Sequence, residues 1–348
     1  MPDNPLYESY LNEVEAEEPG RGRGFWRRLF GRRRAADRPP EDRPKSAWRH
    51  IRRLVIGIVA LIVLYYGGGM IVYHRIDDDT SFETTVAPGE SHAVAMATAL
   101  IQREVELHHW IANDPFFYPT ALLDNAPNYQ MGIIAALSRF AIEMTDHIGR
   151  TRGSSEVDRD LDQAAGLLKY PGNVWVFNLS TSVLPTASSE AQYRQARKAL
   201  QAYNMRLAAH QATFEARADN LQAYLERVAA DLGSSSAVLE RRVREHGGEI
   251  IDFHSDDIYY STKGKLYGHY MVLREIGNDF KLVLDEKQLG PAWNQMLSSL
   301  REAAKLQPLI VRNGTPDDML QPSHLAAQGF YLLRARTQLR EISDILLK

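Results

Sequence analysis

The chain has 348 residues, of which 44% are hydrophobic and 24% charged, with a formal net charge of −3 and no cysteine. The lack of cysteine excludes disulfides, a thiol nucleophile, thiolate metal ligands and a lipoprotein anchor. The sequence contains neither the G-x-S-x-G of a hydrolase nor a phosphate-binding G-x-x-x-x-G-K-[ST] motif. It therefore assigns no catalytic residue and predicts no cofactor, which favours a non-enzymatic protein without excluding an enzyme.

Residues 1–50 form a polar tail whose charge changes sign along its length. Residues 1–20 carry six acids and no Lys or Arg, whereas 21–53 carry 13 Lys and Arg. A stretch of low hydrophobicity at 31–47 predicts a disordered cytoplasmic tail. The basic half, RGRGFWRRLFGRRR, is expected either to bind anionic lipid or only to set topology. Nucleic acid is not an expected partner, because the basic run is short and lies next to an apolar segment.

Leu54–Tyr73 is an uncharged run of 20 residues, LVIGIVALIVLYYGGGMIVY. A helix of that length spans ~30 Å, the thickness of a bilayer's hydrocarbon core. It is too long for a cleaved signal core of roughly 7–15 residues, so we predict an uncleaved signal-anchor over 51–75. Arg52 and Arg53 precede it and Asp77–Asp79 follow it, which predicts a cytoplasmic N-terminus and a periplasmic bulk at the inner membrane.

Residues 76–348 are expected to form an all-α periplasmic domain. Two short β-like pieces, 174–177 and 309–312, are too few for a sheet. Apart from the two heptad-patterned helices described next, the periodicity predicts helices at about 89–112, 130–149, 155–168, 234–246, 256–277 and 290–306.

A heptad-like apolar stripe runs through 188–232 and predicts one long helix that ends at Gly233. A C-terminal helix opening at Ser323 repeats leucine every seven residues. We expect the two helices either to pack antiparallel or to associate with a second copy or an envelope protein. The stripe positions expected to form an interaction surface include Leu200, Leu207, Phe214 and Leu221.

Two polar clusters were considered as metal sites. Glu104 and His108 are four residues apart and share a helical face, but the H-E-x-x-H motif is absent, so they are weak candidates and no metal is predicted. Asp252 to Asp257 resembles a calcium loop, yet positions six and twelve of the pattern are Asp257 and Lys263 rather than Gly and Glu. Ser255 or Asp256 is instead expected to cap a helix.

A Pro-rich loop, DPFFYPTALLDNAPNY at 114–129, carries Phe116, Phe117 and Tyr118. These aromatic residues are expected to fold back and seal a helix bundle. The alternatives are a recognition groove or contact with the membrane, and we include the three residues in the candidate interaction surface.

Four segments, HHWIANDPFFYPTALLDNAPNYQMGI, NVWVFN, DDIYYSTKGKLYGHYMVLREIGNDF and HLAAQGFYLLRARTQLREISDIL, resemble a bacterial family known as domain of unknown function 2333. The resemblance covers about residues 50–348. It implies a single-pass inner-membrane protein of Gram-negative type, and it carries over no activity and no catalytic residues.

Two functions of different class follow from these observations. The first is a scaffold or adaptor for cell-envelope partners, suggested by the anchor and the heptad helices. The alternative is an envelope hydrolase of peptidoglycan type that uses acidic residues in a helical cleft, since two carboxylates distant in sequence leave no local motif.

Overall fold

A computed structural model of the protein describes residues 45–150, 156–177, 184–249, 252–315 and 321–348. Within these ranges the secondary structure is helical, apart from an isolated bridge between Asn313 and Ser323, which confirms the all-α prediction. The predicted tail lies mostly outside the described residues, so its disorder stays a prediction. The helices are α1 Lys45–Tyr73, α2 His92–Gln102, α3 Asn125–Glu143, α4 Arg159–Leu168, α5 Ser189–Ala208, α6 Ala218–His246, α7 Phe253–Asp279, α8 Lys281–Glu286, α9 Gly290–Lys305 and α10 His324–Leu346.

Helix α1 contains the candidate membrane span. Within Trp48–Tyr73 the most apolar window of 18 residues has a mean hydropathy of 2.3, and none of that window is buried against the protein. A helix this apolar and this exposed is not the core helix of a soluble domain, because a core helix would be covered. All contacts described below lie within Ala60–Lys348, which forms one compact unit.

The segment after α1 is embedded in the helical domain by hydrogen bonds to its backbone. Buried Arg103, at the end of α2, donates to the carbonyl of Asp77 (3.0 Å), and its guanidinium stacks between the rings of Phe82 and Tyr267. Arg274 of α7 donates to two further carbonyls, those of Thr80 and Phe82. The segment is therefore held by side chains of several helices rather than forming a free linker.

An ion pair between Lys263 and Asp78 completes this attachment. Lys263 is 1% exposed, and its Nζ lies 2.5 Å from Asp78 Oδ2 and 2.6 Å from the Leu306 carbonyl. Burial lowers the pKa of Lys263, and the hydrogen bond to Asp78 opposes that shift. A buried ammonium needs such partners because its desolvation is costly.

Helices α3 and α7 pack closely because small residues face each other. A Cβ placed on Gly264 would lie 2.0 Å from the Tyr129 carbonyl oxygen, and one on Gly268 would lie 2.8 Å from the Ala136 side chain. Only glycine allows the backbones to approach so closely. The four-residue spacing of these two glycines therefore marks the helix contact.

The single long helix predicted over 188–232 is wrong, because α5 ends at Ala208 and α6 begins at Ala218. His210 takes a left-handed φ of 57°, and the connecting chain runs back to the end of α3, where the Glu215 amide donates to the Ile148 carbonyl. The seven-residue stripe indicated buried positions correctly, but a stripe cannot show where the chain reverses. Helix α6 also continues past Gly233, whose missing side chain makes room for Arg336 of α10.

Helices α6 and α10 pack antiparallel. Gly248, after the end of α6, donates to Asn313, which in turn bridges to Ser323 at the start of α10. Gly233 and Arg336 then meet near the middle of both helices. The predicted antiparallel pairing therefore holds for the second half of the stripe only. Helix α5 packs instead against α2 and α4.

Two smaller predictions were also wrong. Helix α3 begins at Asn125, five residues earlier than predicted, because Pro127 sits in its first turn, where proline costs no hydrogen bond. The N-cap of α7 is Asp252 rather than Ser255 or Asp256, since the helix begins at Phe253.

We predict that Lys263→Met destabilises the protein by about 3–5 kcal/mol, because it leaves the nearly buried Asp78 carboxylate without its cation. The free energy of unfolding would be measured by denaturant titration in detergent, and adding Asp78→Asn should restore part of the loss. Lys281→Met is the matched control, since the Lys281–Asp285 pair is exposed and is worth about 0–1 kcal/mol. Equal losses for the two lysine variants would contradict the prediction.

Candidate functional site

The C-terminal part of α1 contacts the loop that follows α2. Tyr65 Oη donates to the Phe117 carbonyl (3.0 Å), and Tyr66 Oη donates to the Phe116 carbonyl (2.6 Å). We call residues 114–122 the aromatic loop. Because the two tyrosines precede the end of α1 by about two turns, the loop reaches back ~10 Å along the helix.

Gly69 fixes how closely the aromatic loop approaches α1. A Cβ on Gly69 would lie 2.1 Å from Pro119 Cβ, whereas Gly67 and Gly68 have nothing within 4 Å. Beyond it, the rings of Tyr73 and His109 meet edge-on with centroids 5.8 Å apart. The three consecutive glycines of α1 are therefore not equivalent, because only Gly69 contacts the aromatic loop.

The aromatic loop does not seal the helix bundle, contrary to the first expectation. Phe116 is 82% exposed and Leu122 63%, and Phe117 and Tyr118 are also exposed. Phe117 packs edge-on against Phe116 and Trp175 rather than against the core. The loop thus presents a continuous apolar surface beside a helix that is itself apolar and exposed.

A cleft of about 490 Å³ opens between α1, the aromatic loop and α5, and we call it the α1 cleft. Trp110 is fixed in its wall by a hydrogen bond from Nε1 to the Gly172 carbonyl (2.8 Å) and by edge-on packing against Tyr193. Its volume falls within the range of small-molecule sites. The aromatic residues that line it are Tyr65, Tyr73, Trp110, Phe117, Tyr118 and Trp175.

Two carboxylates lie among these rings. Burial raises the pKa of Asp114, and the nearby charge of Glu190 adds to that shift, while Thr120 donates a hydrogen bond to Asp114 Oδ2. Glu190 Oε2 accepts from Asn113 Nδ2 at 2.6 Å. Arg194, one turn further along α5 and exposed, also lines the cleft. Asp114 and Glu190 contribute two negative charges and Arg194 one positive charge, so these three groups give the cleft a net negative charge.

A larger cavity of about 600 Å³ lies around the end of α7, between Ser81 and Trp293. Its Arg274 and Glu275 pair with each other at 2.7 Å, and Arg274 also holds the segment after α1. These charges therefore already have structural partners, and we favour the α1 cleft as the candidate site.

Glu104 and His108, the weak metal candidates, lie next to the attachment of α1. Glu104 is buried and pairs with Arg103 at 2.8 Å, while its second oxygen lies 3.7 Å from His108 Nδ1. His108 Nε2 lies 3.7 Å from Asp77 Oδ2. No group of three or more potential ligands suited to a metal occurs in the part of the chain that the structure describes. The arrangement is a charge network around Arg103.

The acidic residues at the start of α7 lie in two different electrostatic environments. Arg242 and Ser255 hydrogen-bond to Asp252 and, against the effect of burial, lower its pKa to about 2. Burial and the neighbouring acids Asp124 and Asp257 raise the pKa of Asp256 to about 6. Opposite shifts in neighbouring carboxyls indicate ion pairing at one and uncompensated burial at the other.

The stripe positions predicted as an interaction surface belong to the core. Leu200 and Leu221 are fully buried, and Leu207 and Phe214 are partly buried against the same core. They are therefore not available to a partner in this structure. Of the predicted surface residues, Phe116, Phe117 and Tyr118 are the exposed ones, and Phe117 and Tyr118 line the α1 cleft.

Sequence reasoning did not identify the polar residues of the cleft. Asp114 and Glu190 lie far apart in the chain, and neither belongs to a recognised motif. Asp114 could have been identified from its position next to Pro115, in the Pro-rich loop that the sequence analysis includes in the candidate interaction surface. Nothing in the local sequence distinguishes Glu190 from other acids at a helix start.

A family model described as an uncharacterised protein conserved in bacteria matches residues 76–251, which is just over half of the chain. The match includes α2 to α6, the aromatic loop and both carboxylates of the cleft. No curated protein and no solved structure matches the chain.

We expect Gly69→Ala to lower the melting temperature in detergent, because its methyl group collides with Pro119. Gly68→Ala is the matched control, since its position is open and both substitutions gain the same helix propensity. Circular dichroism would follow unfolding. Equal melting temperatures for the two variants would show that the loop does not depend on this contact.

Asp256→Asn should raise the melting temperature at pH 7.5 and change it little near pH 4. The folded-state pKa of about 6 lies above the ordinary value of 3.8, so the ionised group disfavours folding above pH 6. The penalty disappears as pH falls through this window and both states become protonated. Asp285→Asn, at an exposed site, is the control, and a pH-independent gain at Asp256 would refute the assignment.

Proposed function

The chain belongs to the bacterial family named domain of unknown function 2333, and we propose that it is a single-pass inner-membrane scaffold or adaptor for cell-envelope partners. In this proposal α1 is an uncleaved signal-anchor, the N-terminus is cytoplasmic, and residues from about 76 onward form a periplasmic domain. The difference in charge between the two flanks of α1 supports this orientation.

The observation that carries the proposal is the attachment of the helical domain to the end of α1. Arg103, Lys263 and Arg274 hold the segment Asp77–Phe82 by ion pairs and hydrogen bonds to its backbone. A flexible linker would let the domain move freely at the membrane surface. A segment fixed in this way instead keeps the domain close to the membrane, as a scaffold requires.

The partner surface is proposed to lie on α10, the C-terminal heptad helix. Its heptad leucines are buried against α6 and neighbouring helices, and its opposite side exposes Phe330 (64%) and Leu333 (51%). Three-residue spacing places both on one helical face. We therefore propose this face of α10, rather than the buried stripe, as the surface that binds either a second copy of the chain or an envelope protein.

An envelope hydrolase is the second candidate, and Asp114 is the observation that favours it. A carboxyl whose pKa is raised by burial can serve as a general acid, and Glu190 lies in the same cleft. Release of soluble fragments from purified peptidoglycan by the unsubstituted protein, but not by Asp114→Asn, would favour this function over the adaptor.

The adaptor function is tested by photo-crosslinking in living cells. A photoreactive amino acid at Phe330 or Leu333 should give a discrete crosslinked species, identified by mass spectrometry as this chain or as an envelope protein. The same residue at Lys281, 71% exposed on a different helix, is the control. Equal crosslinking at all three positions, or none, would contradict the proposal.

The orientation of the chain across the membrane is tested with a reporter fusion in the same cells. A periplasmically active reporter fused after residue 80 should be active if the domain is exported. A reporter that is active only in the cytoplasm would overturn the proposed topology whatever the crosslinking shows.

A further inference from the structure

The α1 cleft is built partly from the candidate membrane helix itself. Tyr65 and Tyr73 lie on that helix, and both line the cleft. Tyr65 is eight residues from the end of α1, which corresponds to ~12 Å of helix. If α1 crosses a bilayer, the cleft must open at the level of the lipid headgroups and upper acyl chains.

The exposed side of the aromatic loop continues the apolar surface of α1. Phe116 and Leu122 are mostly exposed, and the backbone carbonyls beside Phe116 and Phe117 accept the tyrosine hydroxyls of α1. These hydrogen bonds satisfy polar groups that hydrocarbon would otherwise leave unpaired. The loop can therefore lie against acyl chains without an unpaired carbonyl at either contact.

The charges of the cleft define which headgroup it fits. Asp114 and Glu190 each have a carboxylate oxygen held by one neighbouring donor, Thr120 and Asn113 respectively. A carboxylate accepts further hydrogen bonds, and a primary ammonium has three N–H groups to donate. The surrounding rings of Tyr118 and Trp175 can stabilise the same cation through their π-systems.

Arg194 adds the opposite charge to the same cleft. Its guanidinium is exposed and lies one helical turn from Glu190. Arginine is well suited to bind a phosphate group in a bidentate manner. An ammonium beside the carboxylates and a phosphate at Arg194 together describe a zwitterionic headgroup.

We propose that the α1 cleft binds the headgroup of a primary-amine phospholipid, of the phosphatidylethanolamine type, drawn from the membrane that α1 crosses. The inference rests on the membrane anchoring in the proposed function and not on the adaptor role. Its test reads lipid retention, so it can fail while crosslinking at Phe330 succeeds, or the reverse.

The test uses the full chain in nanodiscs, followed by detergent extraction and native mass spectrometry of the lipid retained. Three nanodisc compositions separate the headgroups: phosphatidylethanolamine, phosphatidylcholine and phosphatidylglycerol, each mixed with the same carrier lipid. Phosphatidylethanolamine should be retained at least tenfold more than either of the others. Choline carries a cation without N–H donors, and glycerol carries no cation.

Asp114→Asn and Glu190→Gln remove each charge but keep an oxygen that can accept from Thr120 or Asn113. Each should reduce retention of phosphatidylethanolamine about tenfold without lowering the melting temperature. Asp285→Asn, at an exposed position of α8, is the matched control and should retain the lipid normally. Equal retention of all three lipids would overturn the proposal, as would full retention in both cleft variants.

Discussion

The attachment of the chain after α1 depends on one buried ion pair, Lys263 with Asp78. Taking a lysine ammonium out of water is unfavourable, and the surrounding helices accept that cost only because Asp78 and the Leu306 carbonyl are both in reach. Asp78 follows the candidate membrane helix by five residues. The pair therefore joins the end of the span to α7, the helix whose glycines pack against α3 at the centre of the domain.

Much of the architecture could be predicted from the sequence. The candidate span at Leu54–Tyr73 and the helical class follow from hydropathy and periodicity, which act locally and leave a clear pattern. Buried positions such as Leu200 and Leu221 were recognised as apolar stripe positions for the same reason. Their role was misassigned, because periodicity shows that one helix face is covered but does not show whether the cover is another part of the chain or a partner.

The break between α5 and α6 illustrates a second limit. His210 adopts a left-handed conformation, although the sequence has no glycine at this position to predict a turn. The chain reverses direction there, and the Glu215 amide donates a hydrogen bond to the Ile148 carbonyl. That hydrogen bond joins residues far apart in sequence. The α1 cleft also depends on contacts between residues distant in sequence, since Asp114 and Glu190 come together only in the folded structure. The sequence predicts only a topological role for Asp77–Asp79, whereas in the structure Asp78 is also the counter-ion of buried Lys263.

The shared wall between the span and the cleft has a mechanical consequence. If α1 crosses a bilayer as proposed, its tilt adjusts when bilayer thickness changes, and its Tyr65 and Tyr73 also line the cleft. A change in tilt moves these two rings relative to Trp110 and Glu190, which are fixed to the helical domain. In that arrangement the width of the cleft is linked to the thickness of the surrounding lipid, while Gly69 and Pro119 remain a point of close contact between helix and loop.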